Sequence, residues 1–250
     1  MTDRPVPVST PEGWDSYWKG VRLPKLPGRF NPVVLHTKRA LAKAFPQGAK
    51  SFFELGCAPG AWMALLARAT GLRPAGCDTS PRGAGLAREN LRLLGLSGDV
   101  YETDAFMLAP EKNGEHDLVY SLGFVEHFPD TKAILECHAR VCRPGGRVFV
   151  NAPNLWGLSG VPYRRADPGV ERSHLVLAPE ALEAAAKAVG LNPLFCGYRG
   201  PLSAHVLLDR LASKPAFYAG YAVCTLLAAL TYPVRGRYAA GTVCLLAEKP

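Results

Sequence analysis

One stretch limits what this chain can become. Phe52-Phe53-Glu54-Leu55 is a short apolar run ending near an acid, and Gly56-Cys57-Ala58-Pro59-Gly60 follows it at once. The next residues, AWMALLARATG, have helical apolar spacing and are closed by Gly71. A strand that turns sharply into a helix is a building unit of α/β sheets. Glycines at 56 and 60 remove side chains where the backbone must approach a ligand, and the helix start offers free N–H groups. Nucleotide and flavin proteins use similar turns, so the neighbouring segments decide the reading.

Those neighbours alternate. SFFEL, PAGCD, DVYETD, HDLVYSL, GRVFVNAP, NPLFCGY and GTVCLLAEK read as strands, and helical segments separate most of them. One of these helices can be capped by Ser80 with Pro81 in its first position, and TKAILECHARV and PEALEAAAKAVG supply two more. The pattern predicts a Rossmann-like α/β fold, a mostly parallel sheet of seven strands with helices on both faces. The opening residues are Pro-rich and read as irregular up to Asn31, after which Val34, Leu41 and Phe45 fall at helical spacing. We therefore expect an N-terminal helical cap over residues 1–50 and one domain over residues 51–250.

Composition narrows the function classes. At 48% hydrophobic and 20% charged residues, the chain is too apolar to be mainly disordered. Its net charge of +8 suits anionic partners without choosing among them. The seven cysteines show no C-x-x-C or Cys/His spacing, which speaks against a disulfide framework and a zinc site. No apolar signal segment occupies the first thirty residues, so the expected setting is cytoplasmic. Between Lys214 and Arg235 lie twenty uncharged residues, enough to cross a bilayer by length. Prolines at 215 and 233, an internal glycine and several tyrosines and threonines argue instead for a helical lid within residues 201–237, with membrane-surface contact as the alternative.

Acids end the successive strands. Glu54, Asp78 and Asp104, with the segment from Ser121 to Gly123, should converge at the carboxyl edge of the sheet. In ELGCAPG, GCDTSP, ETDA, SLGFVEHFPD and VCRPGGRVFVNAPN, in that order, the chain resembles the class I S-adenosylmethionine-dependent methyltransferases of small-molecule type. The resemblance covers about Phe52 to Val189 and, more weakly, TVCLLAEKP. It implies a final antiparallel strand beside the sixth and S-adenosyl-L-methionine as cofactor; no metal ligand is expected among these residues. By resemblance, Glu54 would hold the methionyl amino group, directly or through water, while Gly56, Cys57 and Gly60 pass under the amino acid portion. Asp78 and Thr79 would take the ribose, Asp104 and Ala105 the adenine, and Ser121 and Leu122 would border the cofactor. Ala58 stands where the family usually has its middle glycine.

The acceptor side is less legible. His127 lies where such enzymes place a histidine facing the acceptor, and imidazole can take a proton near neutral pH. Phe124, Trp156, Tyr163 and His174 are candidates for the acceptor pocket, Tyr198 for its wall, and Arg164, Arg165 and Arg172 for reading an acidic group. The expected acceptor is an apolar or aromatic small molecule, with oxygen as the first choice of methylated atom. An RNA 2′-O-methyltransferase would need a Lys-Asp-Lys-Glu tetrad. The fourth strand lacks its aspartate, and Asn151 stands where a lysine is required, so nucleic acid is not the expected partner. A methyltransferase-like scaffold without catalysis would have no use for the three acids.

Overall fold

The computed structural model describes residues 10–109, 112–210, 214–233 and 235–250. Two helices come first, α1 (Pro11–Tyr17) and α2 (Pro32–Ala44). The alternating region follows as β1 (Phe52–Leu55), α3 (Ala61–Thr70), β2 (Pro74–Asp78), α4 (Pro81–Leu93), β3 (Asp99–Glu102), β4 (His116–Leu122), α5 (Thr131–Val141) and β5 (Cys142–Pro153). Beyond it lie α6 (Gly157–Ala166), α7 (Val170–Ser173), α8 (Pro179–Ala188), β6 (Asn192–Arg199), α9 (Lys214–Leu230) and β7 (Thr242–Glu248).

The seven strands form one sheet in the order β3-β2-β1-β4-β5-β7-β6. β7 alone runs antiparallel, inserted between β5 and β6, with Phe149 opposite Leu246 and Tyr198 opposite Val243. The expected sheet and the expected place of its antiparallel strand are both present.

Strand alternation sorts the core. Phe53, Leu55, Val119, Val148 and Val150 face one side, with Ile134 and Leu135 of α5 and Leu182 of α8. Phe52, Leu118, Tyr120 and Phe149 face the other, with Leu41 of α2, Met63 of α3 and Leu91 of α4. Burial on both faces explains why these strands read as continuous apolar runs. A methylene-rich side chain such as Leu41, 0% exposed, pins α2 to the sheet. Its truncation to alanine would cost about 2–5 kcal/mol.

Two expectations need correction. The stretch before Asn31 is not wholly irregular, because the Thr10 side chain caps α1 with Pro11 in the first turn. The uncharged segment does form a helix, α9, and no helix among the described residues is long and apolar enough to cross a membrane. However, α9 packs on α2 and on a 3₁₀ segment, His205–Arg210, and contributes no wall to the cleft described below.

Candidate active site

The carboxyl ends of the parallel strands meet in a cleft of about 700 Å³. Its floor is the β1–α3 turn. The N–H groups of Gly56 and Cys57 both donate to Cys77 O, at 2.9 and 3.0 Å, which folds the turn back over the end of β2. Gly56 has φ +71°, and a Cβ there would lie 2.5 Å from the Phe124 ring. Gly60 has φ +80°, and its Cβ would press on the Ala87 backbone of α4 at 3.0 Å. Glycine is needed at both positions, for conformation and for space.

Asp78 ends β2 inside the cleft. Its Oδ2 accepts from Ala58 N–H and its Oδ1 from Ser80 N–H, each at 3.0 Å. Burial raises its pKa and these two donors oppose the rise. Asp104 uses Oδ1 to accept from Phe106 N–H at 2.9 Å, capping the 3₁₀ turn Ala105–Met107. Thr79, Ala105, Leu122 and Phe124 also line the cleft.

Five residues expected at the site lie elsewhere. Glu54 is buried under the turn at 3% exposure, where its Oε2 accepts from Tyr120 Oη at 2.8 Å and its carboxyl also accepts from Met63 N–H at the start of α3. Burial pushes its pKa up to about 8. Glu54 thus caps a helix from below and does not line the cleft. Cys57 packs in the core on the same side, and Gly60 is spent on the contact with α4. Ser121 Oγ bonds His138 Nε2 at 2.9 Å beneath the sheet edge, while His138 Nδ1–H donates to Ile134 O at 2.8 Å. Trp156 lies outside, 39% exposed, with the Arg237 guanidinium 3.8 Å from its ring centre. Tyr198 packs against the core, and Arg164, Arg165 and Arg172 line no part of the cleft.

The acceptor end is built around His127. Its Nδ1 lies 2.9 Å from Ser173 O, a pure acceptor, so the proton sits on Nδ1 and the Nε2 lone pair is left available. Glu126 Oε1 is 3.9 Å from that Nε2. Glu126 is 2% exposed, its Oε2 has no partner, and burial lifts its pKa to about 8. His127 is pushed down to about 4 by burial and by His174, whose ring centre is 4.4 Å away. His174 Nδ1 faces Val170 O at 3.1 Å. Donor atoms of Glu126, His127 and His174 lie within 4.8 Å of one another, a spacing that serves proton sharing and would also suit a divalent ion. Tyr163, on α6, completes this end, and burial holds its phenol neutral with a pKa of about 12.

The roof was not foreseen. Trp14, Tyr17 and Trp18 of the α1 region line the cleft, and Trp14 meets the His127 ring edge-on at 5.1 Å. Asp15 ties this helix down by accepting from Ser80 Oγ and, at 3.1 Å, from Arg82 N–H. The sequence did hold a signal. Thr10-Pro11 is a helix start, and aromatics at 14, 17 and 18 share one helical face.

Among the described residues no lysine or arginine lines the cleft, whereas Asp78, Asp104, Glu126 and Asp167 do. Such a lining suits a cationic cofactor without phosphates and disfavours a dinucleotide. Residues 53–150 match the family described as "Methyltransferase domain". The chain carries a class I S-adenosylmethionine-dependent methyltransferase domain. The methyltransferase is 28% identical to the "Ubiquinone biosynthesis O-methyltransferase" of Bordetella avium over 178 residues, covering 68% of this chain and 72% of the relative. It is 32% identical over 120 residues to the enzyme of the same name from Aromatoleum aromaticum, covering 46% and 51%. The latter match thus spans about half of the relative's length. Among solved structures, the geranyl diphosphate C-methyltransferase of Streptomyces coelicolor A3(2) superposes with a TM-score of 0.63 over 98% of this chain and all of its own, at 15% identity. That likeness shows the fold alone. The methyl donor of the methyltransferase is S-adenosyl-L-methionine.

Proposed function

We propose that this methyltransferase methylates a hydroxyl oxygen of an apolar, aromatic small molecule, with His127 removing the proton. The observation that carries the reading is the His127 Nε2 lone pair, held in the cleft by the Nδ1–Ser173 bond and backed by buried Glu126. The O-methyltransferase relatives favour the same choice of atom.

The bound cofactor supplies an activated methyl group on a sulfonium. Asp78 would accept from the ribose hydroxyls with the lone pairs its two backbone donors leave over. Asp104 and the Ala105 N–H would receive the adenine edge, and Gly56 and Leu122 would border the remainder. Glu54 would act at one remove, by fixing the start of α3 beneath the turn. Positive charge in the cleft draws Glu126 towards its carboxylate form, and a carboxylate 3.9 Å from Nε2 raises the proton affinity of His127. The Glu126 carboxylate thereby offsets the opposition of the sulfonium to protonation of His127. Trp14, Tyr17, Phe124, Tyr163 and Val170 would hold the acceptor in line and exclude water, and His174 would contact it. In this reading residues 1–50 are a cap whose first helix roofs the site of the 51–250 domain, and residues 201–237 back the cleft wall through Val206. We place the enzyme in the cytoplasm. A cleft with no lysine or arginine among its described lining residues favours a small molecule over RNA.

The test is His127→Ala, assayed with a catechol-type acceptor. Loss of a general base should lower kcat by about 10²-fold or more while cofactor affinity stays unchanged. Retained activity after dialysis against EDTA would accompany this result. Loss of activity that Mg²⁺ restores would replace the base by a metal.

A further inference from the structure

The outer face of α9 is apolar and, among the described residues, uncovered. Val223, Leu226, Leu227 and Leu230 follow the i, i+3, i+4, i+7 spacing of one helical stripe and are 67%, 61%, 38% and 69% exposed. The opposite stripe, Tyr221, Cys224 and Ala228, packs inward, the first two on Leu207 and Leu208. A helix buried on one side and apolar on the other needs something to cover it.

Charge says what the cover is. Between Asp15 and Glu54 the sequence has eight lysines and arginines and no acid, so the whole +8 surplus of the chain falls in this one segment. That segment adjoins α9. Helix α2 packs on α9, Arg39 Nη1 donates to Tyr232 Oη at 2.9 Å, and a Cβ on Gly28 would lie 3.1 Å from Tyr221 Oη. Lys38, Arg39 and Lys43 of α2 are exposed, and Phe30 stands 84% exposed beside Arg29. From Lys214 to Ala247 the chain again has cations, at 214, 235 and 237, and no acid.

We propose that α9, together with the Arg29–Phe30 loop and α2, docks this enzyme onto an anionic lipid surface. The leucines of α9 and Phe30 enter the headgroup boundary, and the surrounding lysines and arginines meet lipid phosphates. The face lies one layer from the active site. The 3₁₀ segment His205–Arg210 packs on α9 through Leu208 and lines the cleft through Val206. An acceptor dissolved in the bilayer would therefore enter near the wall that α9 supports. This corollary rests on the small-molecule reading above, whereas the docking does not.

Co-flotation with vesicles of phosphatidylcholine, with or without phosphatidylglycerol, tests the proposal. The protein should float with the anionic vesicles, float little with the neutral ones, and be released as salt rises. The variant Leu226→Asp/Leu230→Asp should lose at least about ten-fold in vesicle affinity while its melting temperature and cofactor binding remain those of the wild type. Phe30→Asp should fall in the same direction. A wild type that stays in solution with both vesicle types overturns the proposal, as does a double variant that floats as well as wild type. Sedimentation would decide for a second copy of the chain if wild type were a dimer and the double variant a monomer. Because cofactor binding is read in parallel, failure of the methyltransferase site and failure of docking give different results.

Discussion

Asp78 Oδ2 accepts from the Ala58 backbone N–H across 3.0 Å, joining the end of β2 to the turn beyond β1. The same carboxylate thus shapes the turn and faces the cleft. Asp78→Ala should weaken S-adenosylmethionine binding by roughly 10- to 100-fold, the value of one or two hydrogen bonds to a charged group. Calorimetry should also show a lower melting temperature, since the Ala58 and Ser80 donors lose their acceptor.

The roof depends on Asp15. Asp15→Ala removes the acceptor for Ser80 Oγ and Arg82 N–H, freeing α1 from the start of α4. We expect faster cofactor release and a raised KM for the acceptor, by several-fold each, with little change in core stability because α1 is a short surface helix. Stopped-flow quenching of Trp14 and Trp18 would follow the release.

Glu54 sets a direction for stability against pH. Its folded pKa of about 8 lies above its ordinary value of 4.5, so the folded state binds the proton more tightly than the unfolded state between these limits. The resulting stability is fully present below pH 4.5 and is lost as pH rises through about 8. Glu54→Gln, which keeps a polar partner for Tyr120, should flatten this decline. Melting temperatures measured from pH 5 to pH 9 check the slope.

Ser121 provides the complementary test. Its hydroxyl serves His138, not the cleft, so Ser121→Ala should leave cofactor affinity unchanged. It should cost about 1–3 kcal/mol of stability by stranding a buried imidazole nitrogen. Urea unfolding and cofactor titration on the same variant separate the two effects.

The sheet was legible because its central strands β1, β2 and β4 are buried on both faces and glycine and proline turns separate the strands. Asp78 and Asp104 were legible because they stand at strand ends, where the sheet edge gathers ligands. Glu54 lies beneath the turn for a reason visible in the alternation. It shares strand parity with Phe52, which points its side chain to the face under α3. Ser121 lies on the opposite parity from Tyr120 and meets α5. The local pattern marks the roof helix but not its place over the cleft, since Asp15 finds Ser80 only through the folded sheet. Nor does it mark the contact between His127 and Ser173, which depends on how the segment after β5 returns over the cleft.

The insertion of β7 between β5 and β6 makes the edge of the sheet a port for exchange. Pairing from Asn192–Glu248 to Arg199–Thr242 sets the hairpin register, and Gly241 N–H to Gly200 O, at 2.9 Å, closes its mouth. The connection between those glycines need only begin and end there. Loop-closure entropy rises slowly with length, about 0.6 kcal/mol per doubling, so a whole helical module costs only about 2 kcal/mol more to close than a short turn. Targeting elements can be gained, lost or grafted across this mouth while the half of the sheet that carries Asp78 and Asp104 stays as it is.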